Sequence, residues 1–213
     1  MPRPDPRRGS RSAPGALAWA GALDVLSPFL AAVGPRRHED WTADVLPVLE
    51  RRTSEPRGWR TVDVHAVDRT PKHRSFPLRP LTVADLDRDL ELVTYEGATR
   101  LLVRQAVELA HRPWEAPGYA PGYGTEYGTP GRAAAVVAAA RTVLARFGPE
   151  AEYATNAMDL SEPGEPEPGP GDLGGGLAVS GFALPEAHEY VMDLGVIVAS
   201  PAEVGVFWGY FID

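Results

Sequence analysis

Asp63 and His65 stand two residues apart in a stretch, residues 60–68, where Val62, Val64 and Ala66 alternate with polar side chains. On a strand this spacing projects both from one side, where an imidazole and a carboxylate could hold a metal or share a proton. Asp68 and His73 follow closely enough to supply a third ligand. No HExxH, HxH or second histidine cluster accompanies them, so a solvated strand face is the favoured account of the pair. Gly122-Tyr123-Gly124 does not complete a dinucleotide fingerprint and follows a loop rather than a strand. The glycines at 171–176 lack the lysine and helix start of a phosphate loop, and Ser180 is not in a G-x-S-x-G elbow. Asp85, Asp87, Asp89 and Glu91 read as a solvated helix face rather than a glycosidase pair. With no cysteine, disulfides, thiolate metal sites and a cysteine nucleophile are excluded. The sequence thus assigns no catalytic residue and calls for no cofactor or metal ion.

Charge is more informative than motif. The last Lys or Arg is Arg146, and the 67 residues after it carry twelve acids and no fixed positive charge. Residues 1–146 hold 21 bases against 17 acids, so the whole chain is at −8. Such a field attracts a basic protein and repels nucleic acid and anionic membrane. Glu186, Glu189 and Glu203, beside expected structured elements, are the candidate steering charges. Trp114, Tyr119, Tyr123 and Tyr127 recur among Pro and Gly in residues 112–131, a composition shared with binding paratopes, and are the candidate anchors. The competing reading of this segment is a loop whose aromatics fold back onto the domain.

These side chains need a scaffold. Residues 1–15, rich in Pro, Arg and Ser, should be disordered, and 16–213 should form a single α+β domain with flexible insertions at about 112–130 and 161–176. A basic N-terminus before an apolar run superficially resembles a signal peptide. Asp24 and Ser27-Pro28 interrupt the run and its uninterrupted pieces are too short to span a bilayer, so a cytoplasmic location is expected. Residues 16–26 suit a short helix. Ser27 reads as the N-cap of a second helical piece through Val33, with Pro28 at its first position. Helical spacing continues over 38–52, where Pro47 must lie near the start or kink the helix. Thr82 and Asp85 form a capping box opening a short acidic helix to about Leu90. Longer helices are expected over 96–111 and 131–147, the latter closed by Gly148-Pro149. Strands are expected at 60–68, 152–158, 190–199 and 204–212, the last two joined by Ser200-Pro201-Ala202-Glu203. The final strand is apolar on both faces and must lie inside a sheet. The fold expected is α+β, an antiparallel sheet ending in a C-terminal hairpin with helices packed on one face.

A single acidic α+β domain with no cofactor motif and an apolar C-terminal hairpin resembles small bacterial immunity proteins that neutralise toxin domains. The likeness covers residues 60–213 and rests on organisation, not on a residue motif. It implies a non-enzymatic domain that sequesters a basic protein partner. The alternatives are an enzyme or metal-binding protein centred on Asp63 and His65, and a subunit that self-associates through its hairpin.

Overall fold

A computed structural model describes residues 15–28, 30–63, 81–110, 130–157 and 192–211. The N-terminal segment 1–15 and the insertions at 112–130 and 161–176 lie outside the described residues, apart from Gly15 and Pro130 at their ends. The elements in chain order are α1 (Ala16–Leu26), β1 (Leu30–Pro35), α2 (Thr42–Leu49), β2 (Val62–Asp63), α3 (Val83–Asp89), β3 (Glu91–Val93), α4 (Tyr95–Ala110), α5 (Pro130–Ala145), β4 (Glu152–Thr155), β5 (Met192–Ala199) and β6 (Glu203–Phe211). The six strands form one sheet in the order β2-β1-β6-β5-β4-β3, every neighbouring pair antiparallel. The fold is α+β and ends in the β5–β6 hairpin, as the two alternating apolar runs require.

β6 lies between β1 and β5, so both of its faces must be covered. Phe207 joins Leu194, Val196, Val198, Ala31 and Val33 beneath α1, α4 and α5. On the opposite face Val204, Val206 and Trp208 join Ile197, Ala199, Leu30 and Ala154 against Val45, Val48 and Leu49 of α2 and Leu86 of α3. The period-two alternation therefore divides into two cores, and the second cover that the final strand demands consists of the two shortest helices.

Residues 28–33, expected as helix, differ: the chain from Leu30 is strand β1, in register with β6 from Leu30↔Trp208 to Pro35↔Glu203. Ser27 is not an N-cap. It adopts φ 45°, ψ 51° and its N–H closes the end of α1 onto Leu23 O. This left-handed residue redirects the chain, and the backbone bonds offered by β6 outweigh the weak local helix signal. Pro47 falls within α2 instead of near its start; the helix runs only two residues past it, to Leu49. Trp41 is the N-cap residue of α2 and makes no side-chain cap bond; Asp40 before it accepts from the Thr42 N–H at 3.0 Å. The capping box of α3 forms as expected, with the Asp85 N–H donating to Thr82 Oγ1 at 3.2 Å and the Thr82 N–H to Asp85 Oδ2 at 2.9 Å.

Two glycines let large rings lie flat on the sheet. A Cβ on Gly195 would meet the Trp208 ring at 2.0 Å, and one on Gly205 the Phe147 ring at 2.3 Å. Gly21, on the outer side of α1, has nothing within 4 Å of that position. Gly195→Ala should therefore destabilise the fold by about 1–3 kcal/mol through displacement of Trp208. Gly21→Ala should stabilise it by about 0.5–1 kcal/mol through helix propensity. Urea unfolding of both variants checks the pair, and equal effects of one sign would contradict this packing.

Candidate functional site

Trp114, Tyr119, Tyr123, Tyr127, Glu186 and Glu189 lie outside the described residues, as do His65, Asp68 and His73. Asp63 ends β2, and its carboxylate accepts from Arg51 Nε at 2.6 Å. Arg51 reaches it from just beyond α2, in a left-handed conformation with φ 58°. Asp63 is thus held in an ion pair. Among the described residues no group of three or more His, Asp or Glu side chains could hold a metal ion.

Glu203 requires a correction. Read from sequence as an outward steering charge at the hairpin turn, it is 5% exposed. Arg146 reaches it in bidentate fashion, Nε to Oε2 at 3.0 Å and Nη2 to Oε1 at 3.1 Å, while Arg57 Nε donates to Oε1 at 2.9 Å. Arg146 Nη2 also donates to Glu55, whose other oxygen accepts the Trp59 N–H. The Arg146 side chain is fully buried, its guanidinium carbon 4.7 Å from the centroid of Trp19 and 4.8 Å from that of Trp59. Nη1 has no hydrogen-bond partner; the indole faces supply its electrostatic compensation. Two arginines and two glutamates make the cluster neutral, which makes burial tolerable. The sequence marks Arg146 only as the last base in the chain; the partners 57 and 91 residues away carry no local signal.

A second buried carboxylate organises the turn after β1. Asp44 accepts from the backbone N–H groups of Arg37 at 2.8 Å and His38 at 2.9 Å, and pairs with His38 Nδ1 at 2.7 Å. Burial pushes its pKa up, but the two backbone donors and the His38 ring together outweigh this and hold it below its ordinary value. Arg36 then ties the same turn to the hairpin, its N–H donating to Ala202 O at 2.8 Å and Nη1 to Ser200 O at 3.2 Å. Both clusters are internal fastenings rather than reactive sites.

What remains at the surface is an acidic sheet edge. α3 runs through Leu90 directly into β3, the terminal strand of the described sheet. Asp87, Glu91, Glu150 and Glu152 are exposed, and none forms an ion pair among the described residues. Asp85 and Asp89 are bridged by Arg88, at 3.0 and 2.5 Å. Within this acid group Leu92 is 74% exposed, although it belongs to a strand. Leu92 pairs with Ala154, on the Trp208 face, while Val93 packs against the opposite core. Glu152 shares the Ala154 face, so Leu92 and Glu152 occupy diagonal positions about 7–8 Å apart. Sequence reading had merged Glu91 with the α3 acids and did not separate β3, which has only three residues.

No described helix is long and apolar enough to cross a membrane. Compared with protein-family models, curated proteins and solved structures, the chain matches none.

Replacing Arg146 by Met should cost about 3–5 kcal/mol, because Glu55 and Glu203 lose their shared buried cation. Adding Glu55→Gln and Glu203→Gln should recover much of that loss. A triple variant no more stable than R146M in urea unfolding would refute the ionic account. Asp44→Asn should cost about 1–3 kcal/mol at neutral pH. The folded carboxyl titrates below its unfolded value, so its contribution is complete above about pH 4 and fades as the pH falls through the folded value. The stability gap between wild type and D44N should therefore close in acid, and a pH-independent gap would argue against a charged Asp44.

Proposed function

We propose that the protein is a non-enzymatic binding domain that captures a basic protein partner, in the manner of a toxin-neutralising immunity protein. The observation that carries this reading is the exposed set Asp87, Glu91, Glu150 and Glu152, on or beside α3, β3 and β4, which forms no ion pair among the described residues. Arg57 and Arg146 are engaged by Glu203, Arg51 by Asp63, and Arg88 by Asp85 and Asp89, so these cations do not neutralise the edge. The net charge of −8 adds a long-range attraction for a cationic protein. Glu203 is not part of the steering surface in this reading. Trp114, Tyr119, Tyr123, Tyr127, Glu186 and Glu189 remain proposed contacts.

The test is capture from an extract of the source organism, followed by kinetics with the captured protein. A basic protein should be retained, with an association rate that falls by about tenfold or more as salt rises from low to several hundred millimolar. The variant Asp87→Asn, Glu91→Gln, Glu150→Gln, Glu152→Gln should associate more slowly at low salt while unfolding at the wild-type denaturant midpoint. Salt-insensitive association, or a variant as fast as wild type, would end this reading.

A further inference from the structure

We propose that the basic partner docks by adding an extended segment beside Leu92, along the edge of β3 that no described strand covers. The inference rests on the proposed basic partner and adds where and how that partner binds.

The phase of the ladder can be traced from the hairpin. The Ser200 N–H donates to Glu203 O at 2.9 Å, which marks these two residues as a hydrogen-bonded pair. Antiparallel pairs alternate between bonded and non-bonded, so Val198↔Gly205 and Val196↔Phe207 are bonded across β5–β6. Gly195 and Ile197 must then aim their backbone groups at β4. Gly195 does so: its N–H donates to Asn156 Oδ1 at 2.8 Å and its carbonyl accepts from Thr155 Oγ1 at 2.7 Å. Ile197↔Ala154 is therefore bonded, and Tyr153 and Thr155 turn their backbone groups towards β3, onto Val93 and Glu91. Leu92 is left with its N–H and C=O directed away from β4, on the side of β3 where no described strand lies.

Side chains and charge select the occupant. A residue paired with Leu92 shares its face and can cover the 74% exposed leucine, so it should be apolar. The next residue, on the other face, lies opposite Glu91 and should be Lys or Arg. A second copy of this chain fits poorly, because edge-to-edge pairing would bring two sets of the same acids within about a Debye length, roughly 8 Å. The Leu90 N–H is taken by Leu86 O and the Thr94 carbonyl by the Ala98 N–H, which limits the added strand to a few residues around Leu92.

The experiment uses the full chain and a fluorescent peptide of alternating Lys and Val, read by anisotropy at low salt. N-methylation of the Val amides, which would face Leu92, should weaken binding by about tenfold or more, whereas N-methylation of the Lys amides should leave it near the parent value. The unmethylated peptide should also slow hydrogen exchange of the Leu92 amide. Equal binding of the two methylated peptides, or no binding of the parent, would overturn strand addition while leaving capture of a basic protein by another surface intact. A Glu–Val peptide binding as tightly as Lys–Val would overturn the choice of a basic occupant.

Discussion

The buried guanidinium of Arg146 is the interaction on which the arrangement of the other parts depends. It sits just beyond α5 and joins Glu203 at the start of β6, Glu55 in the connection after α2, and the indoles of Trp19 and Trp59. Guanidinium suits this position because it is planar, weakly hydrated and able to bond in its plane while stacking across it. Lysine would offer a point charge and no stacking surface. With Glu203 fixed, the Ser200–Glu203 turn is fixed, and with it the registers of β6 against β1 and β5. The outer strands inherit their positions from that centre.

The same interaction shapes the external field. Pairing acids with arginines inside the molecule removes both from the surface, so internal neutrality says nothing about the outer charge. The acids on or beside α3, β3 and β4 that form no ion pair among the described residues stay exposed, while Glu203, equally acidic in the sequence, is withdrawn into the core. Low-dielectric surroundings strengthen the buried pairs, and solvent weakens the exposed charges. Burial thus separates identical side chains, holding Glu203 in a structural ion pair and leaving Glu91 and Glu152 in solvent.

Local signals in the sequence were reliable where local physics decides. The capping box at Thr82 and Asp85, the apolar stripe of α5 and the alternation of β5 and β6 all depend on neighbours within a few residues. β1 was misread because Ser27-Pro28 is a good helix start in isolation, while its strand state depends on β6, some 170 residues later. Glu203 was misread for the same kind of reason: a turn residue is ordinarily solvated, and only Arg57 and Arg146 from distant segments draw it inward. β3 is too short to generate a period of its own. The aromatic segment at 112–131, the other half of the sequence-based site, lies outside the described residues, apart from Pro130 and Gly131.

A terminal strand normally carries protection against unwanted pairing, through short length and charge. β3 has both features, yet it also carries Leu92 outward, and protection alone does not call for an exposed leucine. The combination acts as a filter. Acids beside a short edge repel copies of the same chain and other acidic strands, which are the main hazards for a protein at −8. In the proposed docking a basic segment meets the opposite sign at Glu91 and gains the leucine as well. Under the proposed docking, negative charge that guards against self-association is the same charge that would admit a cationic partner, so the two roles need no separate residues.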